Sequence, residues 1–148
     1  KTFISSTCWT GRIGPTAALK TIEIMEKQKS WKYITNLGNY IVAKWKGIAK
    51  KHKVKIKING IPALCSFVFL SKYHLVYKTF ITQEMLKINI LATNSIYVST
   101  AHNKRILKKY FNNLDLIFKT ISNCEKGKDD IYRYLESDIC ETDFARLN

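Results

Sequence analysis

Between Trp31 and Gly60 the apolar residues change period, and that change restricts the chain to folds that combine helix with sheet. Trp31, Ile34, Leu37, Ile41, Trp45 and Ile48 recur at three- and four-residue intervals, the spacing of one face of a helix. Val54, Ile56 and Ile58 then alternate with Lys53, Lys55 and Lys57. That is the pattern of a strand with one face in a core and the other in water. Ser30 stands where an N-cap is expected for the helix, and Lys32, Lys44, Lys46 and Lys50 take its wetter faces. His52, at the join of helix and strand, reads as a surface residue.

The rest of the chain repeats this mixture. Thr2-Phe3-Ile4-Ser5-Ser6 reads as a strand, and Ala18, Leu19, Ile22 and Met25 mark a helix from about Gly14 to Gln28. Gly60-Ile61-Pro62 signals a turn into a buried strand over Ala63–Leu70. A loop over Ser71–His74 leads to a helix from about Tyr77 to Lys87, with Gln83 and Glu84 on its polar side. Short strands are expected at Ile90–Ala92 and Ser95–Ser99. Thr100 or His102 then opens a helix with a wide apolar face: Ile106, Leu107, Tyr110, Phe111, Leu114, Ile117, Phe118 and Ile121. A short helix and a tail follow Gly127, the tail made acidic by Asp138, Glu141 and Asp143. No internal repeat or low-complexity linker interrupts the order. The fold class this implies is α+β, with helices covering one face of a small, mainly antiparallel sheet.

Several kinds of chemistry are disfavoured by the same residues. No apolar run is long enough to cross a bilayer, and the N-terminal residues lack the regions of a signal peptide, so a soluble cytoplasmic protein is expected. Cys8, Cys65, Cys124 and Cys140 are scattered without a C-x-x-C pair, which points to reduced structural thiols and no zinc site. His74 and Glu84 lack a third ligand at matching spacing, so no metal is expected. His102 at a helix start reads as a cap on backbone groups before it reads as a base. The net charge of +14 would attract a polyanion. Its lysines, however, are spread through every segment, and no aromatic residue that could stack a base is interleaved with Lys50–Lys57. A basic nucleic-acid-binding module is therefore the alternative, not the first reading.

One loop carries more specific chemistry. In Thr7-Cys8-Trp9-Thr10-Gly11-Arg12-Ile13-Gly14-Pro15 two threonines precede a helix opened by Gly-Pro, proline being suited to a first helical turn. Free backbone N–H groups and a positive dipole end beside two hydroxyls could seat a phosphate, although on the residues alone an ordinary strand–loop–helix junction is the first reading. The run from Ser5 to Ala18 resembles the threonine-containing loop of class III pyridoxal-phosphate aminotransferases, a family that includes the glutamate-1-semialdehyde aminomutases. Thr82-Gln83-Glu84-Met85-Leu86-Lys87, Gly60-Ile61-Pro62-Ala63-Leu64, Tyr97-Val98-Ser99-Thr100-Ala101-His102 and the terminal Arg146-Leu147-Asn148 extend the resemblance over essentially the whole chain.

The resemblance implies that the chain is the C-terminal portion of such an enzyme. Residues 1–28 would be the end of the large domain with its connecting helix. Residues 29–148 would be the small C-terminal domain of a fold-type I aminotransferase. It further implies pyridoxal 5'-phosphate as cofactor and a homodimer acting on a small-molecule amino donor and carbonyl acceptor. Thr10 matches the family's threonine that hydrogen-bonds the cofactor phosphate across the dimer interface, with Trp9 and Gly11 flanking it. The Schiff-base lysine and the aspartate that holds the ring nitrogen lie upstream of the loop in the family. Lys1 is too close to the loop and Lys20 falls within the following helix, so no catalytic residue is expected in this chain, and alone it should not transaminate. The aminomutases carry a glutamate between the Met-Leu helix and the Val-Ser stretch, whereas Asn89–Val98 holds no carboxylate. That favours an aminotransferase of unassigned substrate, its Trp-Thr-x-Arg-Ile-Gly-Pro loop resembling a branch associated with amino sugars and surface polysaccharides, over an aminomutase of tetrapyrrole biosynthesis. A dimerising, non-catalytic domain is a third possibility.

Overall fold

A computed structural model of the chain describes residues 11–141. The strand expected at Thr2–Ser6, the threonine loop through Thr10 and the final acidic residue Asp143 lie outside the described residues. The elements run α1 (Ile13–Gln28), α2 (Ser30–His52), β1 (Ile56–Ile61), β2 (Leu64–Phe69), α3 (His74–Leu86), β3 (Ser95–Tyr97) and α4 (Lys104–Glu125), closed by a 3-10 turn over Ile131–Tyr134. Apart from the strand expected at Ile90–Ala92, the described elements follow the α+β order expected from the sequence.

The sheet is antiparallel throughout, in the order β1-β2-β3. Its register follows the alternation of the sequence. Ile56 faces Phe69 and Ile58 faces Phe67, while Lys57 pairs with Val68 on the opposite face. On the other side of β2, Cys65 faces Ile96. Helices α2, α3 and α4 cover the face that holds Cys65, Phe67 and Phe69, and the largest fully buried side chains include Trp45, Tyr77, Phe67 and Phe118. Rings meet edge to face there: Trp45 on Phe67 at 4.9 Å and Phe69 on Tyr77 at 5.3 Å between centroids.

Several sequence expectations are corrected. Ser30 is not an N-cap. Lys29 occupies that position in the left-handed region (φ 50°), and Ser30 is already helical, its buried hydroxyl without a partner among the described residues. Trp31 does not join the core stripe; the preceding left-handed break leaves it exposed. The turn expected at Gly60-Ile61-Pro62 comes later, since Gly60 and Ile61 still pair with Cys65 and Leu64 and the chain reverses at Pro62-Ala63. Gly60 sits at φ 84°, where an added Cβ would lie 2.2 Å from the Leu64 carbonyl oxygen.

Helix α3 begins at His74 rather than Tyr77, because Val76 and Tyr77 bury one turn ahead of Phe80 and Ile81. No strand forms at Ile90–Ala92. The Ile90 N–H returns to the Met85 carbonyl to close α3, and Asn94 takes the place beside β2 instead, exchanging bonds of 2.9 and 2.8 Å with Phe67. Neither Thr100 nor His102 caps α4: the Asn103 side chain accepts from the Ile106 N–H at 3.0 Å. Of the apolar face expected for α4, Ile106 alone is exposed.

Candidate functional site

The loop that the sequence singles out is described only at its end. Thr10 and Trp9 lie outside the described residues; Gly11 is exposed beside the start of α1. Arg12 holds the cap position, and among the described residues no side chain bonds the first-turn amides and no acidic residue stands in that turn. Among the described residues nothing compensates the positive end of this helix, which is the electrostatic condition an anion needs. Lys20, one turn further on, pairs with Glu23 at 2.9 Å on the exposed surface.

His102 is held by the backbone. Its Nδ1 accepts from the Ser99 N–H at 3.0 Å and lies 3.0 Å from the Ser99 hydroxyl, so the neutral ring carries its proton on Nε2. Its own carbonyl accepts from the Tyr33 hydroxyl at 3.1 Å. With one ring nitrogen committed to a backbone donor, His102 fastens the Ser99–His102 turn. The same ring lines an apolar cavity of about 410 Å³ with Ile96, Tyr97, Ile106 and Tyr110.

Other polar groups join elements far apart in the sequence. Asp115 on α4 accepts from Lys51 at 2.6 Å and meets His52 at 2.9 Å, tying the end of α2 to α4. His52 is thus half-buried and partnered, not the surface residue expected. Its carbonyl also accepts from the Ser122 hydroxyl at 2.6 Å. Glu125 accepts from Tyr77 at 2.7 Å and Ser71 at 2.6 Å. Burial and the neighbouring Glu125 carboxylate push the Tyr77 phenol up, and it stays a neutral donor. The Gln83 amide donates to the Tyr134 carbonyl at 2.7 Å and accepts from the Glu136 N–H at 2.8 Å, strapping the C-terminal segment to α3. The partners of these groups lie too far along the chain for spacing to reveal them; only Asp115, the lone carboxylate between Lys104 and Lys119, stands out in sequence.

Cys8 lies outside the described residues, and neither Cys65 nor Cys124 is activated as a nucleophile. Burial raises Cys65, and burial with Asp129 and Asp130 nearby raises Cys124, so both remain protonated at neutral pH. Cys140 is likewise a free thiol. Among the described residues no group of His, Cys, Asp and Glu is placed to hold a metal ion, and no helix is long and apolar enough to cross a membrane. Lys55, just before β1, and Lys57 within it are exposed, and Phe67 and Phe69 of the adjoining strand are buried away from any base.

This geometry defines an α+β unit with a three-stranded antiparallel sheet covered by helices on one face. No protein-family model matches the chain, and the search of curated proteins gives no match. Among solved structures the unit is similar to the FumI protein of Sphingopyxis sp. MTA144 in its PLP internal aldimine form, with a TM-score of 0.71 and 14% sequence identity. The match covers 91% of this chain and 33% of that one, so this chain spans about a third of the length of that protein. At that identity the likeness is one of fold.

Proposed function

We propose that this chain is the C-terminal, small-domain portion of a PLP-dependent class III aminotransferase, with residues 1–28 leading out of the large domain and 29–148 forming the small one. The observation that carries the reading is the likeness in fold, over nearly the whole chain, to one third of a structure that contains PLP. The sequence blocks around Thr10, Met85 and Val98 supply the narrower family, and the lack of a carboxylate over Asn89–Val98 favours aminotransferase over aminomutase.

The described residues do not by themselves fit the cofactor. A Schiff-base lysine needs a dry pocket that lowers its pKa. Among the described residues no lysine is buried, and Lys87 is pushed up by its bonds to Glu136 and Glu84. The reading accordingly assigns the cofactor lysine and the ring-binding carboxylate to the large domain. To this chain it assigns Thr10, flanked by Trp9 and Gly11, as a phosphate contact reaching into a partner's site in a homodimer.

The test begins with the coding sequence upstream of Lys1, which should encode a large domain bearing a Ser-Lys cofactor motif. In the complete protein, Thr10→Val should weaken PLP binding by about tenfold or more, since a hydrogen bond to a charged group contributes about 1.5–3 kcal/mol. The isolated 148-residue chain should not retain PLP on gel filtration. Unchanged affinity in the valine variant removes the role of Thr10. An upstream frame without such a domain removes the enzyme reading. Binding of single-stranded DNA that falls steeply with salt and ignores PLP would favour the basic-module alternative.

A further inference from the structure

The cleft between α2 and the first turns of α4 has a composition that neither the fold nor the proposed reading uses. Its floor is apolar and aromatic: Leu37, Tyr40, Leu107 and Phe111, with the Tyr40 and Phe111 rings edge to face at 5.9 Å. Its rim is cationic. Lys44, Lys104 and Lys108 line it, and no carboxylate does. None of these three rim lysines pairs with a carboxylate among the described residues. Lys44 rests over the Tyr40 ring at 5.5 Å. The first turn of α4 adds Lys104 and Arg105 and no acid, placing positive charge against the positive end of the helix. Both features leave mutual repulsion that an anion would relieve.

From this charge and shape we infer that the cleft binds a small aromatic carboxylate. The volume, about 500 Å³, is that of a small-molecule site. The Tyr33–His102 hydrogen bond of 3.1 Å joins α2 to the turn before α4, between two residues that line the cleft. The aromatic floor selects a ring. The ammonium groups are point charges on flexible stems, so they can pair with a carboxylate without the two-pronged geometry that a guanidinium imposes.

The test uses cinnamate as the probe and cinnamamide, of the same shape without charge, as its control, titrated into the isotope-labelled 148-residue chain and followed by amide chemical shifts. Cinnamate should bind saturably, shifting amides around Tyr40, Lys44, Lys108 and Phe111. Cinnamamide should bind about tenfold more weakly. The double variant Lys44→Gln/Lys108→Gln should lower cinnamate affinity to about the level of the amide, two weak ion pairs together amounting to about tenfold. Lys108→Arg should keep the affinity. Lys55→Gln/Lys57→Gln, which removes the same charge from the distant sheet, should leave binding unchanged. The native spectrum of each variant distinguishes lost binding from lost fold. Equal affinity for acid and amide overturns the inference. So does an unchanged Lys44/Lys108 double variant, or cleft shifts that appear with protein concentration alone and so report self-association.

Discussion

The hydrogen bond between Trp45 and Tyr110 is the polar link at the centre of the helical layer, and its removal gives the sharpest test of the packing. The indole N–H of Trp45, a residue with no exposed surface, donates to the Tyr110 hydroxyl at 3.0 Å. Tyr110→Phe keeps the ring and its edge contact with Phe111 at 5.1 Å, and strips the indole of its acceptor. A buried donor left unpaired costs about 1–3 kcal/mol. Deleting a hydroxyl that folding had dehydrated returns part of that, for a net loss of about 1–2 kcal/mol. With a urea m-value of about 2 kcal/mol/M the midpoint should fall by roughly 0.5–1 M. Burial holds the Tyr110 phenol well above its ordinary pKa, so the bond is neutral at any working pH of the assay. Equilibrium urea unfolding, read by both far-ultraviolet circular dichroism and indole fluorescence, measures the change. Tyr33→Phe is the control: it deletes an exposed bond to the His102 carbonyl and should cost less than about 0.5 kcal/mol. A Tyr110→Phe chain as stable as the parent, or a control that costs as much, would refute the claim that this bond pins α2 to α4.

Asp115 provides a pH test. Burial alone would raise its carboxyl, but the bonds from Lys51 and His52 outweigh that and hold it below the usual carboxylate range. A carboxyl depressed in the folded state adds stability above its unfolded pKa and loses it as pH falls through the folded one. Asp115→Asn should therefore cost about 0.5–1 kcal/mol at neutral pH, with the gap to the parent closing below about pH 4; a gap that persists in acid contradicts the assignment. Two glycines of α2 should respond with opposite signs. Gly38→Ala puts a Cβ 1.9 Å from the Pro62 carbonyl oxygen and should destabilise by about 1–3 kcal/mol. Gly47→Ala meets nothing within 4 Å and should stabilise by about 0.5–1 kcal/mol through helix propensity, and thermal melts decide both. Gln83→Ala should free the segment after Ile131, seen as faster amide exchange at Glu136 and faster tryptic cleavage at Arg133; unchanged exchange would mean the Gln83 amide does not hold that segment.

What the sequence reveals follows from what periodicity can encode. The stripe through Ile41, Trp45 and Ile48 and the alternation through Ile56 and Ile58 mark burial directly, and both lie on the core face. Element ends are less legible because their determinants are not periodic. Ser30 carries the side chain of a cap, yet a left-handed Lys29 displaced it, a backbone state that lysine does not advertise. Ile90-Leu91-Ala92 has strand composition, but the Asn89 turn at φ 58° folds it back onto Met85 before it can pair. For the candidate sites the asymmetry is greater. Local features such as the Gly-Pro helix start are visible in sequence. The cleft between α2 and α4 joins Tyr40 to Phe111 and Lys44 to Lys108 across more than sixty positions, and only the packing of two helices brings them together.

Helix α1 is where the energetics and the proposed function meet. It has 16 residues, about the length at which an isolated helix is marginal in water, and none of them is buried. Its apolar stripe remains in solvent, with Leu19 69%, Ile22 53% and Met25 40% exposed. Every later helix buries a face against the sheet or a neighbour, and burial starts immediately beyond Lys29, at Ser30. Intrinsic propensity therefore does not account for α1, and neither does packing within the described unit. A helix whose well-formed stripe is uncovered among the described residues is suited to pack on a further surface. In the proposed reading that surface is the large domain from which residues 1–28 emerge, and the break at Lys29 is the point where the chain passes from one core to the other.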